Sequence, residues 1–376
     1  MKKRVGIIFG GRSGEHEISI RSAKTVLEQI DTEKYDAVPI AITNEGKWLS
    51  PRESVGLLPE SVHRSIAGDS SIADGGRLAL LSDSPGSSFA ILPQTEAPVR
   101  DLELDVVFPV LHGTFGEDGT IQGLFEMLGI PYVGGGVLAS SCGMDKTVMK
   151  ALFREAALPI CKYLWFLRSD WERNREAIVT ETEQQLGYPC FVKPANLGSS
   201  VGVSHAGDAE SLRSAVDLAA EYDRKIIIEE ALEMREIECA VIGNDDPEAS
   251  LPGEYVIRDE DKRFLDYTEK YAGTGNNEFV VPARISNELS DRIRELAVKS
   301  FKAIDCSGFA RVDFFLRTDG SLMVNEINTI PGLTDASGFP KMWAATGKPL
   351  PQIIDSLISL AFDRFEDRAR NKTTFN

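Results

Sequence analysis

Apolar residues recur along this chain in two rhythms. Arg4-Val-Gly-Ile-Ile-Phe9 is a short, nearly continuous apolar run, the pattern of a strand buried on both faces. Gly10, Gly11 and Gly14 follow as a turn, after which Ile20, Ala23, Val26, Leu27 and Ile30 return at helical spacing. Strand, glycine turn and amphipathic helix together predict the βα opening of a doubly wound parallel sheet. Asp105-Val-Val-Phe-Pro-Val-Leu111 predicts a further strand, and Leu124, Met127 and Leu128 predict the helix after it. Between these units, residues 51–100 are dominated by Ser, Gly, Asp and Pro. They read as a peripheral insertion with short strands at Arg77–Leu81 and Phe89–Leu92.

Further along, strands are expected at Cys190-Phe-Val-Lys193 and Lys225-Ile-Ile-Ile-Glu229. A hairpin is expected from Phe309–Leu316 and Ser321–Asn328, joined by the turn signal Arg317-Thr-Asp-Gly320. The resulting α/β architecture has an N-terminal Rossmann-like unit at 1–140, a central unit at 141–244 and a C-terminal unit at 245–376. A length of 376 residues agrees with two or three domains rather than one core. No internal repeat is evident.

Composition narrows the function. A net charge of −17 argues against a nucleic-acid surface, which needs clustered Lys and Arg. Local sites for small anions remain open. No apolar run is long enough to span a bilayer, and Met1-Lys-Lys-Arg4 is not followed by a signal-peptide core of sufficient length. The expected location is the cytoplasm. Cys142, Cys161, Cys190, Cys239 and Cys306 are scattered and form no Cys-x-x-Cys pair, so buried thiols are expected rather than zinc or disulfides.

Four constellations carry chemistry. Asn196-Leu-Gly-Ser-Ser-Val-Gly-Val-Ser204 reads as a hairpin loop able to wrap a phosphate with backbone N–H groups and hydroxyls. No Lys-Ser or Lys-Thr closes it, so it is not a Walker A loop. Lys193, set in the apolar strand before it, needs an anionic partner. The second constellation is Arg311-Val-Asp313 with Glu326-Ile-Asn328. Strand alternation puts Arg311 with Asp313 on one face and Glu326 with Asn328 on one face. Two acids and an amide brought together across a hairpin suit Mg²⁺. The third pairs Glu15, after the glycine turn, with His112 in the polar string His112-Gly-Thr-Phe-Gly-Glu-Asp-Gly119. Glu15 by itself would more often serve only the helix dipole. The fourth is Phe264–Asn277, a polar, aromatic, glycine-bearing loop of the kind that closes over a site.

Taken in order, these strings resemble the D-alanine–D-alanine ligases of the ATP-grasp superfamily. The resemblance extends to Met144-Asp-Lys146, Arg235-Glu-Ile-Glu-Cys-Ala-Val241, Asp266-Tyr-Thr-Glu-Lys-Tyr271 and Asn325-Glu-Ile-Asn-Thr-Ile-Pro-Gly-Leu-Thr334, and covers nearly the whole chain. It implies a three-domain ATP-grasp fold, with ATP between the central and C-terminal units. It implies that Lys146 and Lys193 contact ATP phosphates, with Ser199 and Ser200 in the glycine loop. Glu229 would face the adenine and Glu236 would hold the ribose, with Asn325 and Glu326 also at the nucleotide. Asp313, Glu326 and Asn328 would ligate a pair of Mg²⁺ or Mn²⁺ ions. Glu15 would take the ammonium of the first D-alanine, with His112 nearby. Arg311 and the backbone N–H of Gly332 would stabilise an oxyanion, and Lys270 and Ser337 would take the second D-alanine's carboxylate. Lys270 would also touch the nucleotide, and Tyr271 would close the loop through Ser199 and Glu15. Relatives imply a homodimer. Ligases that use D-serine or D-lactate, or another ATP-grasp carboxylate–amine ligase, are the alternatives within the class. The intact Lys270-Tyr271 pair favours an amine nucleophile. A nucleotide-binding regulator that has lost catalysis would lack a metal ligand or Arg311, and both are present.

Overall fold

The computed structural model describes residues 2–66, 76–80, 89–93, 100–198, 201–231, 233–257 and 277–372. Its first layer is the expected parallel sheet. Strand Lys3–Gly10 lies between Tyr35–Ile42 and Val106–Pro109 and runs parallel to both. Val5, Ile7, Ile8 and Phe9 are fully buried, as a strand covered on both sides requires. Helix His16–Gln29 packs on it through Ala23, Val26 and Leu27. In the later helix, Thr120–Leu128, the buried face is Ile121, Gln122 and Phe125, and Met127 is 87% exposed. The insertion supplies Gly76–Leu80 and Phe89–Pro93, which pair antiparallel, with Arg100–Leu102 beyond them.

A second, antiparallel sheet has the order Tyr163–Leu167, Lys225–Glu230, Cys190–Pro194, Ser204–Ala206. Cys190, Val192, Ile226 and Ile228 face Leu212, Val216 and Ala219 of helix Ala209–Tyr222. Period-two alternation therefore turns Lys193, Ile227 and Glu229 to the opposite face. The strands flanking the glycine–serine segment pair antiparallel, as the hairpin reading requires, although the second begins at Ser204 rather than Val201.

The third sheet runs Asn277–Val280, Gly253–Ile257, Met234–Gly243, Gly308–Arg317, Leu322–Asn328, with Glu248–Ala249 paired to Met234–Gly243. It draws strands from both sides of residue 244. One face, including Cys239, Val312, Phe314 and Ile327, packs on helix Asn287–Ala303 through Ile293, Leu296, Ala297 and Phe301. Towards the other face, Phe309 and Ala240 join Phe339, Met342 and Trp343 and the first layer in one continuous core. Helix Leu350–Ala369 joins the same core through Ile353, Ile354, Leu357 and Ile358. No helix among the described residues is long and apolar enough to cross a membrane. The five cysteines are free thiols, and all but Cys142 are buried.

Candidate active site

The acid-bearing hairpin is built by register. Arg311 lies opposite Asn328, and Asp313 lies opposite Glu326. A bulge at Asp313/Phe314 skips Asn325, so that Phe314 pairs with Val324. The extra residue lets Val324 enter the core while Glu326 and Asn328 stay on the face of Asp313. On the other side, Glu238 pairs with Asp313 and Glu236 with Phe315, which brings both glutamates to that face. Arg311 donates to both oxygens of Asp313 at 2.6 Å and lies 3.3 Å from the Glu238 carboxylate. Asn328 Nδ2 donates to Asp313 at 3.2 Å. Carboxylates paired across adjacent strands, with an amide oxygen beside them, are the hard donor set of Mg²⁺ or Mn²⁺. The residues present fit such a cation.

Lysines face this hairpin. Lys146 opens helix Lys146–Glu155, capped by the Asp145 side chain on the N–H groups of Thr147 and Val148. A cation at a helix N-terminus opposes the dipole and needs anionic company. Lys146 reaches the Leu197 carbonyl of the glycine hairpin at 2.8 Å and the Glu326 carboxylate at 3.7 Å. One turn on, fully buried Lys150 meets Glu229 at 2.8 Å. Lys193 meets the other oxygen of Glu229 at 2.6 Å. Burial alone would raise the Glu229 carboxyl and lower both lysines, but their mutual charges outweigh it, holding the acid well below its usual range and both cations above theirs. Paired lysines against one carboxylate leave positive charge over, which suits polyphosphate.

The first layer supplies the other wall. Glu15 is the N-cap residue of helix His16–Gln29, yet its side chain makes no capping bond. Its carboxylate turns instead toward the backbones of Gly113 and Gly198, where added Cβ atoms would lie 2.8 and 3.5 Å from Oε2. Gly113 also has φ +71°, a left-handed conformation that favours glycine there. Ser13 fixes the turn, donating to the His112 carbonyl at 2.8 Å and accepting from Glu15 N at 3.2 Å. His112 is buried, with Nδ1 2.9 Å from the Ile330 carbonyl and Nε2 3.0 Å from the Ser22 hydroxyl. A carbonyl only accepts, so Nδ1 carries the proton and Nε2 takes one from Ser22. Burial lowers the His112 pKa against the pull of Glu15 and Ile330, so the ring is neutral. Gly332 and Ser337 meet beyond Ile330: a Cβ on Gly332 would lie 2.7 Å from Ser337 Oγ, which also shares a 2.8 Å hydrogen bond with Thr334.

Most of the residues expected from sequence therefore sit together. Glu15 and His112 share a wall with Gly198, and Arg311, Asp313, Glu326 and Asn328 lie opposite. Lys146 bridges the hairpin loop to Glu326. Lys193 and Glu229 pair one layer away, and half-buried Glu236 lies along the sheet. Asn325 is the bulged residue and accepts from Lys150 through its carbonyl at 3.4 Å. Ser199, Ser200, Lys270 and Tyr271 lie outside the described residues. Sequence reasoning missed Ser22, Glu117, Lys150 and Glu238. Lys150 stands four residues after Lys146, a helical signal that could have found it. Glu238 shares strand parity with Glu236. Glu117 lies inside the polar string that begins at His112, and one of its two N–H partners, Ile330, is remote in sequence.

The comparisons with known proteins agree over the whole chain. Residues 4–135 match the family model described as D-ala D-ala ligase N-terminus, and 152–359 match D-ala D-ala ligase C-terminus. A D-alanine–D-alanine ligase of Geobacillus thermodenitrificans is 45% identical, with 100% of each chain covered. One from Ruminiclostridium cellulolyticum is 47% identical, covering 99% of this chain and 98% of the relative. Among solved structures, the D-alanine–D-alanine ligase of Coxiella burnetii is 33% identical with a TM-score of 0.82, over 98% of this chain and 96% of that one. A D-Ala:D-Ser ligase of Enterococcus faecalis is 38% identical with a TM-score of 0.81, over 96% and 100%. A fold of this kind around such a site defines an ATP-grasp ligase, an ATP-dependent class that works with a divalent metal on small-molecule substrates. Within that class, the chain belongs to the D-alanine–D-alanine ligase family.

Proposed function

We propose that the chain joins two D-alanines, at the expense of ATP and through a D-alanyl phosphate, to give D-alanyl-D-alanine, ADP and phosphate for peptidoglycan precursor synthesis. The observation that carries this reading is the meeting of an amine-binding acid, Glu15, with the Arg311–Asp313–Glu326–Asn328 face and the lysines Lys146 and Lys193. Glu15 takes the ammonium of the first D-alanine, and neutral His112 holds the loop beside it without adding charge. Lys146 and Lys193, with the Ser199 and Ser200 loop, cradle the phosphates, while Glu229 and Glu236 serve the nucleoside and Asn325 the nucleotide. Asp313, Glu326 and Asn328 would hold a pair of Mg²⁺ or Mn²⁺ ions, which when bound neutralise phosphate charge. Arg311 and the Gly332 N–H stabilise the oxyanion formed when the second amine attacks the acyl phosphate. Lys270 and Ser337 take the second carboxylate, and Tyr271 closes the loop that keeps water from the acyl phosphate. The working form is a cytoplasmic homodimer, with the N-terminal unit at 1–140, the central unit at 141–244 and the C-terminal unit at 245–376.

The likeness to a D-Ala:D-Ser ligase favours D-serine as the second reading for the acceptor site. Phosphate release from ATP with D-alanine, then with D-serine or D-lactate as competing nucleophiles, separates them when products are read by mass. D-Alanyl-D-alanine should dominate at neutral pH. A preference for D-serine or D-lactate would overturn the substrate assignment.

A further inference from the structure

Glu117 has no part in the chemistry above, yet it joins two walls of the site. Its carboxylate accepts the N–H of Gly113, in its own loop, at 2.8 Å and the N–H of Ile330, at the end of the metal-side hairpin, at 3.2 Å. His112, from the same loop, donates to the carbonyl of that same Ile330 at 2.9 Å. The N-terminal loop thus grips residue 330 by both its backbone groups. Ile330 stands two residues after Asn328 and two before Gly332. Whatever fixes it fixes the spacing between the amine pocket and the oxyanion donor.

We propose that Glu117 is a positioning residue that latches the amine-binding wall to the Ile330 segment, and that the latch tightens when the first amino acid binds. The inference rests on the reading that Glu15 receives the substrate ammonium. A carboxylate accepts two N–H donors well, whereas a protonated carboxyl accepts only one strongly. The charged groups acting on Glu117 are Glu15 at the first helix and Arg311 on the sheet, and His112 of its own loop shares its hold on Ile330. Burial first, and then the Glu15 charge, raise the Glu117 carboxyl to about 8, against the backbone N–H donors and Arg311. At neutral pH the empty site therefore holds Glu117 mostly protonated. An ammonium seated on Glu15 cancels the repulsion between the acids. Glu117 then gives its proton to solvent and holds the two N–H groups it already meets as a full carboxylate, which strengthens both bonds. Substrate binding and latch closure become one linked event.

Linkage fixes the sign. Binding that releases a proton strengthens as pH rises toward the pKa of the free group. Calorimetric titration of D-alanine into the protein, with Mg²⁺ and a non-hydrolysable ATP analogue, in two buffers of different ionisation enthalpy near pH 7.5, counts the released protons. The wild-type chain should release a substantial fraction of one proton, and its KM for D-alanine should fall about tenfold between about pH 6.5 and 8.5. Glu117→Gln should release none, lose that pH dependence, and raise the KM for D-alanine about tenfold while the KM for ATP stays within about twofold. No proton release by the wild-type chain would overturn the latch, whatever the variant's folding. So would Glu117→Gln releasing as many protons as wild type. Absence of ATP-dependent D-alanine ligation in the wild-type chain would overturn the functional reading itself, a result separable from either.

Discussion

Arg311 faces Asp313 and Glu238 at once, a cation between acids with a surplus of negative charge around it. A guanidinium so placed is oriented before any substrate arrives, which is what transition-state stabilisation demands. Arg311→Met should therefore lower turnover about 10²–10³-fold with a much smaller change in the KM for ATP. Steady-state kinetics with ATP and D-alanine varied separately checks this, and an effect confined to ATP would reassign Arg311 to the nucleotide. Glu326 gives a different signature. It sits opposite Asp313 and 3.7 Å from Lys146. Glu326→Gln keeps the shape and removes the charge, so turnover should collapse while far-UV circular dichroism is unchanged. Near-normal rates at saturating Mg²⁺ would refute a ligand role. Both residues were legible in the sequence because strand alternation alone places them. Glu117 was not, because its meaning lies in an N–H more than two hundred positions away.

Elements carry the next level of information. The hairpin Gly308–Arg317 with Leu322–Asn328 could be read from its turn signal and alternating pattern, but its bulge could not. A skipped residue is a matter of pairing between strands, and a single strand's pattern does not contain it. Helix Lys146–Glu155 shows the same limit. Its first lysine stood out through the Met-Asp-Lys string, while Lys150 passed as one more polar position, although it is fully buried. Removing one member of a buried ion group is costly, since the partner stays behind, and Lys150→Met should destabilise the chain by about 3–5 kcal/mol. The pH response is also set. The lysines hold the Glu229 carboxyl below its usual range against its burial, so its stabilising contribution is present above that range and disappears as pH falls through the folded value. With Lys150 gone the carboxyl rises, and acid unfolding should begin at a higher pH than in wild type. Unfolding curves collected from neutral to strongly acid pH test both statements. An unchanged acid midpoint would mean that Lys193 alone sets the Glu229 charge.

At the scale of the whole molecule, the layers are held together by contacts between the ends of the chain. Asp355 of helix Leu350–Ala369 accepts from Lys34 at 3.0 Å and from the Tyr35 hydroxyl at 2.7 Å. Arg364 of the same helix donates to the carbonyls of Tyr132 and Gly134 and to the Ser307 hydroxyl, and lies over the Tyr132 ring at 4.2 Å. Arg364→Leu would leave those acceptors without their donor and should cost about 2–3 kcal/mol in urea unfolding. Active-site kinetics should be unaffected under conditions where the variant is folded, because Tyr132, Gly134 and Ser307, its partners among the described residues, are not candidate site residues. A loss of ligase activity at full folding would show that the helix also sets the geometry of the site.

That helix has a consequence for the order in which the protein is made. The core of the first layer, Val5, Ile7 and Phe9 among others, is continuous with Ile353, Ile354, Leu357 and Ile358. A ribosome delivers the strand and its first cover, helix His16–Gln29, early, and helix Leu350–Ala369, which closes the flank formed by that helix and strand Val106–Pro109, much later. Throughout most of translation the emerging N-terminal layer has an apolar flank with no native partner, which is the condition under which chaperones bind nascent chains. That flank gains its native cover only once residues near 358 clear the exit tunnel. Every candidate site residue, Ser337 included, precedes that helix in the chain, so the site's residues are all synthesised before this flank of the core is covered.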